Sequence, residues 1–167
     1  MGKRSSFERR ERDFYATPPE AIDPLLIHLV PHSTFAEPCI GDGDLAEYLE
    51  KKNHPCMYGS DITFGDDALE LTPDLITKCD YIITNPPWDR SLLHPMIDHF
   101  RILKPTWLLF DADWCHTIQS KPYMKYCRKI VSVGRIKWIA GSKHTGKDNC
   151  AWYKFDNTEG NTNFIGR

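Results

Sequence analysis

Thr34-Phe35-Ala36-Glu37-Pro38-Cys39 followed by Ile40-Gly41-Asp42-Gly43 and Asp44-Leu45-Ala46-Glu47-Tyr48-Leu49-Glu50-Lys51 decides the fold class. It reads as a strand, a tight glycine loop and an amphipathic helix. Gly41-x-Gly43-x-x-Ala46 between a strand and a helix is a nucleotide-cofactor fingerprint, because the glycines let backbone approach a ligand closely. Asp61 ends a second strand, Cys56 to Ile62, twenty positions after Gly41, where a carboxylate accepts from ribose hydroxyls. Taken alone, this pairing fits a dinucleotide as well as S-adenosylmethionine. The acidic surroundings of the loop, Glu37, Asp42 and Asp44, suit a sulfonium and an α-ammonium better than a pyrophosphate. Helix capping is the plain alternative for Asp42 and Asp44.

Outward from this unit, strands alternate with helices. Thr17-Pro18-Pro19-Glu20 predicts a helix capped by Thr17 and running to about Val30, with Pro24 inside it. A short strand or turn is expected near 68–71 and a buried strand at 80–84. A helix is expected from His94 to Leu103, then a strand at 107–110 and a helix within 116–127. Ile130–Val133 with Arg135–Ile139 suggests a further strand, and Ala151–Phe155 a last one. These two are joined by a polar loop, Gly141 to Asp148, so they form an antiparallel pair. The pattern predicts an α/β, Rossmann-like fold with a mostly parallel sheet. Residues 1–13 read as a charged arm, 14–156 as one catalytic domain, and 157–167 as a flexible tail.

Asn85-Pro86-Pro87-Trp88 follows Asp80-Tyr81-Ile82-Ile83-Thr84. Two prolines remove two backbone donors, end the sheet ladder and free nearby carbonyls. The Asn85 Oδ1 and a proline-region carbonyl suit the hydrogens of a flat amine, and Trp88 suits its ring. A strand-to-loop breaker with a core tryptophan is the plain alternative.

Composition is that of a globular chain: 41% hydrophobic, 26% charged and a net charge of −2, which argues against a globally basic nucleic-acid binder. No apolar run reaches membrane-spanning length. The six cysteines show no C-x-x-C and no zinc-finger spacing, so reduced thiols in a cytoplasmic protein are expected, with no metal.

Five motifs occur in order: Asp13-Phe14-Tyr15-Ala16-Thr17-Pro18, Glu37-Pro38-Cys39-x-Gly41-x-Gly43, Ser60-Asp61-Ile62, Gly65-x-Asp67-Ala68-Leu69 and Asn85-Pro86-Pro87-Trp88. Together they resemble class I S-adenosylmethionine-dependent methyltransferases, and more closely the small phage and bacterial members similar to DNA adenine-N6 methyltransferases. The resemblance covers roughly residues 13–156. It implies a seven-stranded sheet with an antiparallel final strand. It implies that Tyr15 and Thr17 contact the methionine end of the cofactor, and that Glu37, Pro38, Cys39, Gly41 and Gly43 line the methionine and sulfonium region. Asp61 would hold the ribose, with Ile62 against the adenine. Asp67 would accept from the adenine amine, beside Ala68 and Leu69. Asn85, Pro86, Pro87 and Trp88 would bind the target amine. Asp111 and Asp113, at the end of a strand, are weaker substrate-binding candidates, as are Trp138, Lys143, His144 and Lys147.

Nucleic acid is the expected partner, DNA favoured over RNA. A protein glutamine and a non-catalytic cofactor-binding module are the competing readings. Only about thirty residues follow Trp138, too few for a separate target-recognition domain, so a homodimer or a partner protein is expected to supply specificity.

Overall fold

The structure, a computed structural model, describes residues 15–167; the charged arm and the motif residues Asp13 and Phe14 lie outside the described residues. The elements in chain order are α1 (Pro19–Leu26), β1 (Phe35–Glu37), α2 (Asp44–Lys51), β2 (Cys56–Gly59), β3 (Tyr81–Thr84) and α3 (Arg90–Leu103). They continue with β4 (Thr106–Asp111), α4 (Lys121–Met124), β5 (Cys127–Arg135), β6 (Asn149–Phe155) and β7 (Asn163–Ile165). The seven strands form one sheet in the order β2-β1-β3-β4-β6-β5-β7. β6 is antiparallel to both its neighbours, and every other pairing is parallel.

Successive strand residues point to opposite faces, so each central strand feeds two cores. Ile82, Leu108, Phe110, Tyr153 and Phe155 pack on one face with Leu93, Ile97 and Phe100 of α3. Tyr81, Ile83, Trp107, Leu109 and Trp152 pack on the other with Ile22 and Leu25 of α1 and Leu45 and Leu49 of α2. Trp152 ties this second layer together: it is fully buried and its indole N–H donates to the Ala21 carbonyl at 2.7 Å. Trp152→Ala is therefore expected to destabilise the protein by about 3–5 kcal/mol, the range for emptying a large aromatic site. Urea unfolding at equilibrium measures it.

Several local expectations are corrected. α1 ends at Leu26, and Ile27 and Val30 are exposed (83% and 61%), because the chain tightens into i→i−3 turns after Pro24. Thr17 does not cap it: Pro18 occupies that position, and the Thr17 hydroxyl is turned inward to accept from Asn85. Near 68–71, of the strand or turn expected, the structure has the turn: a 3-10 turn, Ala68–Glu70, capped by Asp67.

The helix expected within 116–127 is reduced to short 3-10 turns and α4, because Thr117 and Ser120 hydroxyls donate to nearby carbonyls and compete with helix bonding. β5 starts earlier than expected and stops at Arg135, after a register shift at Gly134 (φ 91°) that turns residues 136–139 out of the sheet. Within the tail, Thr162 Oγ1 donates to the Cys127 carbonyl at 2.7 Å, and β7 pairs with Lys129–Val131. All six cysteines are unpaired. No helix among the described residues is long and apolar enough to cross a membrane.

Candidate functional site

A cavity of about 700 Å³ opens at the C-terminal ends of β1 and β3, where ligands settle in open α/β sheets. Its walls are the segment before α1, the glycine loop, the turn after β2 and the start of the Asn-Pro-Pro-Trp turn. Tyr15, Thr17, Glu37, Pro38, Cys39, Gly41, Asp61, Ile62, Asp67, Ala68, Asn85 and Pro87 all line it. Gly43, Leu69, Pro86 and Trp88 do not. Gly43 holds the N-terminus of α2 at φ 90°, and Leu69 packs against the core.

The glycine loop is pinned by one carboxylate. Gly41 sits at φ 54°, and its N–H donates to Asp61 Oδ2 at 3.0 Å. Asp61 Oδ1 accepts from the Thr63 N–H and hydroxyl at 2.9 and 2.8 Å. Asp61 thus joins the loops after β1 and β2 into one cradle. Beyond it, Ile62 presents an apolar, half-exposed side chain to the cavity (55% exposed). Asp67 Oδ1 accepts from the Leu69 N–H at 2.9 Å.

Glu37 is the electrostatic peculiarity of the site. It is 2% exposed, it takes a backbone N–H from Ala46, and its Oε2 is buried without a partner. Burial pushes its pKa well above the ordinary carboxyl range; the Ala46 bond opposes this, and the charges of Asp61 and Asp44 add to it. An orphaned carboxylate oxygen with acidic neighbours on a cavity wall is a seat for a cation that brings its own N–H. Burial also pushes the Cys39 thiol up to about 12, so it lines the cavity as a neutral group.

The Asn85 amide is held at both ends. Its Nδ2 donates to Thr17 Oγ1 at 3.2 Å, and its Oδ1 accepts from the Trp88 indole N–H at 3.3 Å. Trp88 leans edge-on against Trp138 (5.9 Å, 82°), which in turn faces Tyr15 at 6.2 Å. The Trp88 indole is half-buried against both cores.

Asp111 and Asp113 lie outside the cavity. Asp111 accepts from the Asp113 N–H and approaches Arg90 at 3.9 Å. Burial raises the Asp111 pKa, as do Asp113 and Asp148, against the Asp113 bond and Arg90. Lys143, His144 and Lys147 are exposed on the β5–β6 connection and do not line the cavity. Sequence reasoning missed Leu92 and Met96, one turn apart on α3, which complete the cavity's apolar side. Their signal was helical spacing just after the proline turn.

The fold has close counterparts. A candidate RNA methyltransferase of Pyrococcus horikoshii superposes with a TM-score of 0.66 at 14% identity, covering 88% of each chain. This is the fold of class I methyltransferases. A type I restriction-modification methyltransferase subunit of Streptococcus thermophilus (TM-score 0.59, 10% identity) is matched over 91% of this chain and 47% of its own. The type IIG restriction endonuclease BpuSI (0.59, 10%) is matched over 89% of this chain and 26% of its own. The chain thus spans less than half of either restriction protein. No protein-family model and no curated protein sequence matches the chain.

Proposed function

We propose that this chain is an S-adenosylmethionine-dependent methyltransferase acting on an exocyclic amine of a nucleic-acid base, adenine N6 in DNA first. The observation that carries the reading is the Asn85 amide, fixed by Thr17 and Trp88 on the wall of the cavity at the end of β3.

The residues fit the cofactor. Tyr15 and Thr17 would bound its methionine end, with Glu37, Pro38, Cys39 and Gly41. The orphaned Glu37 oxygen matches a cationic donor. Asp61 would take a ribose hydroxyl on the remaining lone pair of Oδ2, Ile62 would lie on the adenine, and Asp67 and Ala68 would meet its amine edge. Bound there, S-adenosylmethionine supplies an electrophilic methyl group.

The chain's own part is orientation. The second lone pair of Asn85 Oδ1 and the Pro86 carbonyl accept the hydrogens of the target amine, which favours a pyramidal nitrogen with its lone pair aimed into the cavity. No strong base is required before attack, because the cationic product nitrogen loses its proton readily to water. Positioning and fixed dipoles are the source of rate. For a base in duplex DNA, flipping out of the stack is required, with the Trp88–Trp138–Tyr15 aromatic group offering replacement surface. Exposed Lys143, His144 and Lys147 would contact phosphates, and Asp111 and Asp113 would border the substrate. A second subunit or a partner protein would add sequence specificity, and the unpaired cysteines suit a cytoplasmic setting.

An RNA base is the second reading, favoured by similarity over 88% of both chains to the P. horikoshii candidate RNA methyltransferase. A protein glutamine fits the same turn. Transfer of radiolabelled methyl to unmethylated duplex DNA, single-stranded DNA, RNA and cell-extract protein tests the proposal. Label in DNA, recovered as N6-methyladenine, is expected. Label confined to protein contradicts the nucleic-acid reading, and no label in any substrate contradicts the enzyme.

A further inference from the structure

The two side chains that hold the Asn85 amide share one neighbour. Asn85 Nδ2 donates to Thr17 Oγ1, and the Trp88 indole N–H donates to Asn85 Oδ1. Trp138 meets both segments. Its ring lies 6.2 Å from that of Tyr15, two residues before Thr17, and 5.9 Å from that of Trp88. Both separations are those of direct ring contact. The 82° angle to Trp88 is the edge-to-face arrangement that ring quadrupoles favour.

The two bonds to Asn85 are not equivalent. A threonine hydroxyl donates or accepts, so Thr17 suits either end of an amide. An indole N–H only donates, so Trp88 selects the oxygen. A reversed amide would offer N–H groups to a target amine that brings hydrogens of its own. The setting of the Trp88 ring therefore decides whether Asn85 accepts.

Trp138 is itself anchored by the β5–β6 connection. Ile136 is buried, and the Lys137 N–H donates to Glu20 Oε1 on α1 at 3.1 Å. The Gly146 N–H donates to the Ile136 carbonyl at 2.7 Å, which closes the connection on its own start. A Cβ on Gly146 would fall 3.0 Å from the Ile136 carbonyl oxygen and 3.1 Å from Trp138 Cδ1. The Gly146 backbone lies outside the left-handed region, so the space beside the indole is what calls for glycine.

We infer that Trp138 is a positioning residue for the acceptor amide: through Trp88 it keeps Asn85 Oδ1 turned to the target amine, and Gly146 leaves it room. The role rests on the reading of Asn85 as the acceptor of that amine.

Two measurements on the full chain test it. The first needs no substrate: NMR of isotope-labelled tryptophan follows the Trp88 indole N–H, assigned by its absence in Trp88→Phe. Trp138→Ala is expected to shift that signal and speed its hydrogen exchange about tenfold, and Trp138→Phe to restore it. The second measures kcat and KM for methyl transfer to unmethylated duplex DNA. Trp138→Ala is expected to lower kcat about tenfold and leave KM within about twofold. Trp138→Phe should recover most of the loss, and Gly146→Ala should cost about threefold. In a Trp88→Phe background, Trp138→Ala should cost little more, because the coupling is already cut. Thermal midpoints show that each variant folds; should Trp138→Ala not fold, Gly146→Ala decides both measurements. An unchanged Trp88 signal, a loss confined to KM, or losses at Trp88 and Trp138 that simply multiply would overturn the inference. A wild type without methyl transfer contradicts the proposed function, and the indole signal then decides the positioning alone.

Discussion

Asn85→Ala is expected to lower methyl transfer by about 10²–10³-fold, the range for removing one preorganised polar group from a reacting centre. Binding of S-adenosylmethionine, followed by thermal shift, is expected to persist, because Glu37, Asp61 and Asp67 are untouched. The Asn85 amide spans Thr17 Oγ1 and the Trp88 indole N–H, so its carbonyl oxygen is aimed before any substrate arrives. Alanine leaves the proline turn but removes the acceptor. The loss should fall on kcat more than on KM, as for an interaction strongest in the transition state. Full activity in Asn85→Ala would show that the acceptor amine is held elsewhere.

Glu37→Gln is expected to act in opposite directions on stability and on binding. The Glu37 carboxyl is buried with one oxygen unpaired, and its folded-state pKa lies well above the ordinary range. For an acid with a raised folded pKa, the stability contributed by its neutral form is fully present below the unfolded pKa. It is lost as pH rises through the folded pKa. At neutral pH the ligand-free wild type therefore carries a penalty that glutamine does not. The variant should be more stable by about 1–3 kcal/mol, or about 2–4 °C per kcal/mol, with an advantage that grows as pH rises from the ordinary carboxyl range. The same change removes a charge opposite the cationic end of the cofactor. S-adenosylmethionine should bind about 10–100-fold more weakly, the loss expected for a charge-assisted bond. Thermal unfolding from pH 4 upward and calorimetric titration read the two effects separately. A variant that loses stability at neutral pH would contradict the account of Glu37.

The parts of this site readable in the sequence are those set by local geometry. Gly41 and Asp61 stand at the end of a strand and after a tight loop, and each end of their bond is fixed by its own strand. The proline pair likewise ends β3 by chain chemistry alone. Contacts that depend on which elements meet were not readable. Thr17 looked like a helix cap, but its hydroxyl meets Asn85 across 68 residues. The Trp88 N–H turns to Asn85 and its ring to Trp138, whose segment leaves the sheet after the shift near Gly134. Leu92 and Met96 face the cavity because α3 packs beneath it. β7 was hidden by its polar flanks: the bonds that hold it come from Thr162 and from backbone rather than from an apolar pattern.

The central claim is that this cavity holds S-adenosylmethionine with its reactive end beside Asn85. A crystal structure of the full chain with S-adenosylhomocysteine tests it most directly. The account predicts the thioether sulfur next to the Asn85 amide, the amino group on Glu37, the ribose on Asp61 and the adenine between Ile62 and Asp67. A ligand bound in the reverse sense, with its adenine at Asn85, or seated outside the cavity, would contradict it.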